Sequence, residues 1–306
     1  MLKKIDLSII VVSHNTKELL RNCLSSVFQK IKNIDFEVWV VDNASLDGSL
    51  EMVRKEFSEV KIIANEENVG FAKANNLAIK EAKGRYIFLL NPDTILLDEN
   101  FKELIDFMEK NPEAGACGPI VLNKDGTMQR QCKRGLPTFW VAFSYYSGLW
   151  KLFPQNKWWR KNFGGYFLLD KPDDKVCEVD SLSGAAMMVR KETIEKVSLM
   201  CEDYIMYWDD LDWCYRIKKA GWKIYYVPLT KITHYGGVGG TQLHAFKNLW
   251  YFHRGACLFY RRYLASNYFF LVNFLYYSGV WFAFGLKVLF NLFRKEKIIG
   301  SKKPNL

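Results

Sequence analysis

Short apolar runs alternate with amphipathic stretches over the first 90 residues. The runs are Leu7–Val12, Phe36–Val41, Val60–Ala64 and Tyr86–Leu90. Between them, apolar residues recur three or four positions apart, as in helices. Thr16 is the expected N-cap of the first helix, and Gly84 is expected to end a third helix running from Asn68 to Lys83. Nearly continuous apolar strands that alternate with helices predict an α/β fold, with a mostly parallel sheet covered on both faces.

Polar, turn-forming residues follow each of the four runs. They are Ser13-His14-Asn15, Asp42-Asn43, Asn65 and Asn91-Pro92-Asp93. A single polar loop is ordinary, but four in succession at the carboxyl edge of a parallel sheet favour a nucleotide crevice. The first strand is followed by neither a Gly-x-Gly-x-x-Gly fingerprint nor a Walker A loop. The pattern therefore disfavours a nicotinamide-dependent dehydrogenase and a P-loop enzyme.

The pattern loosens after residue 115, and residues 130–175 are aromatic, basic and irregular. Regular structure is expected again at Val179–Val189, at a helix beginning near Asp209, and in the two apolar stretches Tyr251–Tyr263 and Asn267–Leu286. We therefore predict one domain over residues 1–250, whose first part (1–115) holds the nucleotide crevice and whose second part (116–250) is less regular. A C-terminal aromatic and basic helical region (251–306) follows it.

Positive charge is concentrated at the C-terminus. The net charge is +10, and residues 254–306 hold nine Lys/Arg and one Glu, which leaves the first 253 residues at +2. Basic residues that flank an apolar aromatic stretch are typical of a segment held against anionic lipid, and they do not indicate nucleic-acid binding. Asn267–Leu286 is about long enough to span a bilayer. Its polar and small residues favour an interfacial or re-entrant helix, and a helical cap on the catalytic domain is the further alternative.

The compartment is predicted from the cysteines and the N-terminus. The seven cysteines are odd in number and include no Cys-x-x-Cys, which favours a reducing environment over a disulfide framework or zinc ribbon. The apolar run after Lys3-Lys4 is short and is interrupted by Asp6, unlike a secretory signal. We expect the protein to lie at the cytoplasmic face of the cell membrane.

Three constellations point to the chemistry. Asp93 ends a buried strand, where it could hold a divalent cation that neutralises a departing diphosphate, although Asn-Pro-Asp is also good turn chemistry. Asp209, Asp210 and Asp212 crowd the start of a helix beside two tryptophans, an arrangement that suits general-base work. Arg216, four residues after Asp212, favours a structural ion pair for that acid. His234 precedes the glycine-rich segment 236–240 and is a candidate metal or phosphate ligand on a lid.

Six motifs, in order over roughly residues 7–245, resemble the GT-A inverting glycosyltransferases of family 2, especially their bacterial rhamnosyltransferase-like branch. They are Ser8–Asn15, Val41–Ser49, Asn65–Asn76, Asn91–Asp93, Ser183–Arg190 and Asp209–Asp212. The chain departs from the family pattern twice. Asn91 stands in place of the first acid of the Asp-x-Asp metal motif, and Asp209 stands in place of a glutamate.

The resemblance implies a nucleotide-binding half (1–115) and an acceptor-binding half (116–250), and it also implies the roles of individual residues. Asp42 would bind the pyrimidine, and Asp210, the second acid of its motif, would be the catalytic base. The whole expected set is Ser13, Asn15, Asp42, Asn43, Asn68, Gly70, Asn75, Asn91 and Asp93 for the donor, Asp93 and His234 for Mg²⁺ or Mn²⁺, and Gly184, Ala185, Trp208 and Asp209 for the acceptor.

The expected function is therefore inverting transfer of a sugar from a nucleoside-diphosphate donor to a lipid-linked or polysaccharide acceptor in cell-surface glycan synthesis. Rhamnose from dTDP-rhamnose is one candidate donor, and glucose, galactose and N-acetylhexosamine are the others. A catalytically inactive sugar-nucleotide-binding scaffold on the membrane is the alternative from another class. A sugar nucleotidyltransferase is disfavoured, because residues 11–17 lack a glycine-rich triphosphate loop. The sequence leaves a homodimer open.

Overall fold

The computed structural model describes residues 5–236 and 245–293. Within these ranges the chain forms strands and helices that alternate up to β4 and then follow a less regular order. The strands are β1 (Leu7–Ser13), β2 (Phe36–Asn43), β3 (Lys61–Asn65), β4 (Tyr86–Leu90), β5 (Thr94–Leu96), β6 (Ala114–Leu122), β7 (Lys133–Arg134), β8 (Cys177–Val179), β9 (Ser181–Leu182), β10 (Ala186–Arg190) and β11 (Lys223–His234). The helices are α1 (Lys17–Lys30), α2 (Ser49–Glu56), α3 (Phe71–Glu81), α4 (Lys102–Lys110), α5 (Phe139–Ser147), α6 (Lys157–Phe163), α7 (Lys191–Val197), α8 (Asp209–Lys219), α9 (Ala245–Tyr263) and α10 (Phe270–Phe293).

The first half of the large sheet is parallel, as predicted. Strands β3, β2, β1 and β4 lie side by side in that order, and every neighbouring pair is parallel. The register sets Ser13 of β1 opposite Asp42 of β2. All five residues of β4 are buried, which fits a strand covered on both faces. The predicted polar strand ends therefore meet at one edge of the sheet.

The second half makes the sheet mixed. The strand order continues through β10, β6, β11 and β5, with β8 also paired to β11. Strand β10 is antiparallel to both β4 and β6, and β11 is parallel to β6 but antiparallel to β5 and β8. The prediction of a mostly parallel sheet therefore holds for the half built from alternating strands and helices. Beyond β4, the order of elements along the chain no longer determines the strand directions.

The third helix differs from the prediction at both ends, whereas the first helix follows Thr16 as predicted but lacks the expected side-chain cap. Helix α3 begins at Phe71, so Asn68 lies in the preceding loop. Gly84 does not cap α3, which ends at Glu81. A Cβ atom at Gly84 would lie 2.5 Å from Ser8 N, so glycine there permits a close backbone approach. Thr16 precedes α1 without a capping hydrogen bond, and Asp47 accepts from Lys17 N at 2.8 Å instead.

The C-terminal helices pack on elements within residues 116–250. Helix α9 contributes Ala256, Phe259 and Tyr260 to a second apolar cluster, which also contains Trp208 and Leu211 around the start of α8. Helix α9 begins at Ala245, so the boundary expected at residue 250 falls within it. The division of the chain at that point stays a prediction.

Helix α10 has one packed face and one exposed face. On the packed face, the ring of Tyr276 stacks on that of Tyr260 at 3.7 Å, and the Lys287 ammonium lies 5.4 Å from the ring centroid of Tyr146. Exposed residues on the rest of the helix include Phe270, Phe274, Phe282, Phe290 and Phe293. Among the described residues, α10 is the helix that is long and apolar enough to cross a membrane by length and composition, with a mean hydropathy of 1.2.

Candidate active site

Two buried oxygen atoms on the nucleotide half lack a hydrogen-bond partner within the described residues. Asp42 is 3% exposed, and its Oδ2 accepts from Ser45 N at 2.9 Å while its Oδ1 has no partner. Asn75 donates to Phe71 O at 2.9 Å, and its Oδ1 is likewise unpaired. An unpaired buried acceptor is costly unless a ligand or water donates to it. Asp42, at the carboxyl end of β2, is therefore suited to accept a hydrogen bond from a nucleotide base.

The loop after β1 is tied to the loop after β2. Asn15 donates from its backbone N to Ser45 Oγ at 2.9 Å, and its side-chain Oδ1 accepts from Leu46 N at 2.7 Å. Its φ of 54° lies in the left-handed region, which asparagine tolerates better than most residues. Ser13, expected to contact the donor, is fully buried, and its hydroxyl lies 2.9 Å from that of Thr16. Its side chain therefore supports the loop and does not line the crevice.

Three amide side chains join the loop before α3 to the end of β2. Asn65 Nδ2 donates to Asn43 Oδ1 at 2.8 Å, and Asn43 Nδ2 donates to Asn68 Oδ1 at 3.3 Å. Gly70 follows with φ of 86°, and a Cβ atom there would lie 3.0 Å from the carbonyl oxygen of Ile205. Glycine is thus required both by the backbone conformation and by the approach of the acceptor-side half.

The expected metal ligands come together because β5 pairs with the end of β11. His234 lies opposite Thr94 in that pairing, and its Nε2 is 3.2 Å from Asp93 Oδ1. Asp93 is 5% exposed, and its Oδ2 accepts from Gly236 N at 3.0 Å. Asn91 Nδ2 also lies 3.2 Å from His234 Nε2. The glycine-rich lid expected after His234 lies outside the described residues from residue 237 onward.

Gln129 orients the His234 ring. Its Nε2 donates to the backbone carbonyl of His234 at 2.7 Å, and its Oε1 lies 2.9 Å from His234 Nδ1. Because Gln129 Nε2 donates to the backbone carbonyl of His234, the Gln129 Oε1 atom faces His234 Nδ1. An amide oxygen only accepts, so Nδ1 carries the ring proton. The Nε2 lone pair of a neutral ring is then directed toward Asn91 and Asp93. This is the arrangement by which an outer hydrogen bond prepares a histidine to bind a metal ion.

The donor atoms of this cluster fit Mg²⁺ or Mn²⁺. A carboxylate oxygen and an imidazole nitrogen are ligands that Mn²⁺ accepts, and Mg²⁺ is usually held by one or two carboxylates with substrate phosphates. The described residues contain no group of three His, Cys, Asp or Glu side chains that could enclose a cation. Bound donor phosphates would therefore supply much of the coordination.

Gly184 and Ala185 connect the metal side of the crevice to the acidic helix start. Ala185 O accepts from Asn91 N at 3.0 Å, and Gly184 N donates to Asp210 Oδ2 at 2.9 Å. A Cβ atom at Gly184 would lie 3.2 Å from the Phe71 ring and 3.4 Å from Asp210 Cβ. These two adjacent residues thus connect Asn91, two residues before Asp93, with Asp210, which is far from it in sequence.

Arg134 holds the carboxylate of Asp210. Its Nη2 lies 2.7 Å from Asp210 Oδ2 and also donates to Leu182 O at 2.5 Å. Burial opposes the guanidinium charge, but the Asp210 carboxylate beside it raises the pKa of Arg134 above its ordinary value. Both side chains are nearly enclosed, with 11% and 13% exposed. The Asp210 carboxylate is therefore fixed in orientation, as a positioned base requires.

The two neighbouring acids have other surroundings. Asp212 is fully buried and pairs with Arg216 at 2.9 Å, as predicted, while Tyr204 and Tyr263 donate their hydroxyls to it. Asp209 accepts from Asp210 N through Oδ1, and its buried Oδ2 has no partner within the described residues. Burial, and then the nearby Asp210 carboxylate, raise the pKa of Asp209 to about 7. Asp209 was expected at the acceptor, but it is only 4% exposed.

A strained turn leads into α8. Tyr207 and Trp208 have φ of 64° and 69°, a conformation that costs bulky residues about 1–3 kcal/mol each. The indole of Trp208 packs against Phe259, and a Cβ atom at Gly255 of α9 would lie 2.6 Å from it. Trp208, expected to contact the acceptor, is 7% exposed because α9 covers it. It supports the turn that sets the two acids at the helix start.

Arg134 and Gln129 are site residues that the sequence pattern did not identify. Both lie close to β7, at the beginning of the irregular aromatic region. The only local signal is the polar run Gln129–Arg134, which follows a strand. Their partners, His234 and Asp210, are more than 70 residues away in sequence, so periodicity could not connect them.

The chain is similar to a known protein family and to individual enzymes. The family described as "Glycosyl transferase family 2" matches residues 8–191. N-acetylglucosaminyl-diphospho-decaprenol L-rhamnosyltransferase of Mycobacterium tuberculosis is 25% identical over 75% of this chain and 76% of its own length. Rhamnosyltransferase WbbL of Escherichia coli is 24% identical over 74% of this chain and 82% of its own length.

Solved structures show the same fold. GalNAc-T7 with UDP, GalNAc and Mn²⁺ superposes with a TM-score of 0.57 at 19% identity, over 83% of this chain and 48% of that one. The mannosyltransferase PcManGT of Pyrobaculum calidifontis, in complex with GDP-Man and Mn²⁺, gives 0.56 at 16% identity, over 85% of this chain and 65% of that one. The chain thus spans about half to two thirds of these structures. The similarities establish the GT-A fold.

Proposed function

Because this chain belongs to glycosyl transferase family 2 and is a glycosyltransferase, we propose that it is an inverting enzyme that transfers rhamnose from dTDP-rhamnose to a lipid-linked glycan. The choice of sugar is supported by the rhamnosyltransferases among its relatives. Another hexose donor is the alternative, because the relatives also include the poly-β-1,6-N-acetyl-D-glucosamine synthase of Staphylococcus epidermidis. The residues 1–250 would form the catalytic domain, with nucleotide-binding and acceptor-binding halves that meet near residue 115.

One observation carries the inverting mechanism. The backbone segment Gly184–Ala185 bonds to Asn91, two residues before Asp93, at one end and to the Asp210 carboxylate at the other. Inversion requires the acceptor oxygen to attack the anomeric carbon from the side opposite the departing diphosphate. A base on one side and a diphosphate site on the other fit that requirement.

We assign the chain's own side chains as follows. Asp42 accepts a hydrogen bond from the base of the donor through its unpaired Oδ1. Asp210 removes the proton from the acceptor hydroxyl, while Arg134 and Gly184 N hold its carboxylate in place. Asp93 and His234 hold Mg²⁺ or Mn²⁺ with the donor phosphates, and a cation bound there would neutralise the charge that develops on the leaving diphosphate.

The C-terminal region would bring the catalytic domain to the cytoplasmic face of the membrane. Helix α10 exposes large apolar side chains along one face, among them Phe274 at 63% and Phe290 at 67%. Its other face packs on α9 through Tyr276, which stacks on Tyr260, and through Lys287, which lies over the Phe252 ring. A helix bound on one side by the catalytic domain suits an interfacial position better than a span.

The proposal is tested by binding and turnover with a panel of nucleotide sugars. In the presence of Mn²⁺ or Mg²⁺, dTDP-rhamnose at 100 times its Kd should stabilise the fold by about 2.7 kcal/mol and raise Tm by several degrees. Chelator should abolish transfer, and added metal should restore it. Asp42→Ala should lose the shift, whereas Asp106→Ala, on the surface of α4, should keep it. If another sugar nucleotide gives the larger shift and the only turnover, rhamnose is the wrong donor. Full activity in excess chelator would exclude the metal role.

A further inference from the structure

The segment between β7 and β8 contains two helices that carry a patch of exposed aromatic rings. We call residues 138–163, which include α5 and α6, the aromatic insertion. Trp140, Phe143, Phe153 and Trp158 are each about half exposed or more, with Trp158 at 65%. An isolated exposed ring needs no explanation, but a contiguous group of them indicates a binding surface.

Ring contacts show that the exposed side chains form one patch. Trp140 lies 5.6 Å from Phe143 and 5.4 Å from Phe163, measured between ring centroids. Phe163 in turn lies 6.2 Å from Trp158 and stacks on Trp159 at 4.1 Å. The patch therefore runs across both helices of the aromatic insertion without a break.

The charged residues of the aromatic insertion have a single sign. Residues 138–163 contain four Lys/Arg and no Asp or Glu, whereas the basic residues just before them, Arg130, Lys133 and Arg134, pair with Asp173 or Asp210. Lys151, Lys157 and Lys161 lie within the aromatic insertion itself and are exposed. Exposed aromatic rings interspersed with lysines match an anionic lipid surface, where rings enter the headgroup region and lysines approach the lipid phosphates.

The aromatic insertion also contacts the C-terminal helical region. The ring of Phe139 lies 6.5 Å from that of Tyr268, which precedes α10, and Lys287 of α10 lies over the Tyr146 ring. Phe269 and Phe270, next to Tyr268, are 70% and 68% exposed. The aromatic insertion therefore lies next to the exposed start of α10.

We propose that the aromatic insertion is a second membrane-binding element, which docks on an anionic bilayer beside α10. The inference extends the membrane association proposed above and does not depend on the identity of the sugar. Arg134, which holds Asp210, lies four residues before the insertion. Docking of the insertion would thus bring the acceptor side of the crevice to the headgroup level, where a lipid-linked acceptor presents its glycan.

The electrostatic part is tested with the double variant K157E/K161E of the full-length protein. Its affinity for vesicles of phosphatidylcholine with phosphatidylglycerol, measured by flotation, should fall by about tenfold or more. Binding to pure phosphatidylcholine vesicles should change little. K32E/K110E is the matched control, because it changes the net charge equally at exposed lysines of the nucleotide half, and it should bind like the wild type.

The apolar part is tested with F153S/W158S, and α10 is tested separately with F270S/F274S. F153S/W158S should weaken binding to both kinds of vesicle, and a Tm near that of the wild type will show that it folds. If K157E/K161E and F153S/W158S both bind like the wild type while F270S/F274S does not, the aromatic insertion is not a lipid contact and the role of α10 stands. Donor hydrolysis in solution should be unchanged in all of these variants, and it tests the glycosyltransferase assignment independently.

Discussion

Among single residues, Asp210 is the one whose surroundings best fit a catalytic base. Its carboxylate is held by Arg134 and by Gly184 N, and its neighbour Asp212 is occupied in a buried ion pair. Asp210→Asn keeps the shape and removes the basicity, so kcat should fall by about two to four powers of ten. The Kd of the donor should stay the same, because we assign this side chain to the acceptor and not to the donor.

Two other amide variants control for this assignment. Asp106→Asn, on the exposed surface of α4, should leave kcat unchanged. Near-normal turnover in Asp210→Asn together with loss of turnover in Asp209→Asn would show that the wrong acid was chosen. Asp212→Asn should mainly lower stability, because it removes a buried partner of Arg216.

Gln129 should matter for metal binding although it does not contact the metal. Gln129→Leu removes the group that keeps the proton on His234 Nδ1. Loss of such an outer hydrogen bond typically weakens metal binding by about 10–100-fold. Titration of Mn²⁺ into the protein with nucleoside diphosphate should show this loss, while diphosphate binding without metal should not change. Gln29→Leu, at an exposed position on α1, is the control. Equal Mn²⁺ affinity in both variants would contradict the positioning role.

The raised pKa of Asp209 should make stability depend on pH. Its pKa in the folded state is about 7, above the ordinary value of 3.8, so the folded state favours the protonated form. The corresponding stabilisation is complete below about pH 4 and is lost as the pH rises through about 7. Asp209→Asn should therefore raise Tm at pH 8 and bring little gain at pH 4. A constant difference in Tm between the two proteins across this range would show that Asp209 does not titrate there.

At the scale of elements, the contact of α9 with the turn before α8 is a close one. A Cβ atom at Gly255 would lie 2.6 Å from the Trp208 indole, whereas nothing lies within 4 Å of one at Gly279 of α10. Gly255→Ala should cost about 1–3 kcal/mol by overpacking and should lower kcat, because Trp208 directly precedes Asp209. Gly279→Ala should instead gain up to about 1 kcal/mol from helix propensity. Thermal melting and turnover of both variants check this, and equal effects would mean that α9 does not support the turn.

The elements themselves were predictable where local periodicity determines them. The four strands of the parallel half lie within two residues of the apolar runs, and α8 begins at the expected Asp209. The predicted cap at Thr16 and the predicted helix end at Gly84 were wrong because contacts with distant segments determine the structure at these two positions. Asp47, 30 residues away, satisfies the backbone N of Lys17 at the start of α1, and Gly84 is required by the approach of β1.

At the scale of the whole molecule, the fold brings together site residues that lie far apart in the sequence. The sequence alone identified several of them individually but did not show how they are arranged. Asp42, Asp93 and Asp210 each stand at the end or start of a regular element, which made them recognisable. The burial of Trp208 was not predictable, because the covering helix α9 follows some 40 residues later. The strand β10 runs antiparallel to β4, and this pairing is what brings Ala185 to Asn91.

The packing of α10 also decides how the whole protein should behave on membranes. To span a bilayer, α10 would have to leave α9, which would break the Tyr276–Tyr260 stack and the hydrogen bond from Tyr260 to Asn273. It would also carry Lys287 into hydrocarbon, at a cost of about 2.5–3.5 kcal/mol by insertion scales. An interfacial helix keeps these contacts and places only its exposed face in lipid. Washing membranes with high salt or carbonate should therefore release the full-length protein into the soluble fraction. Retention of the protein after both washes would instead indicate a spanning helix.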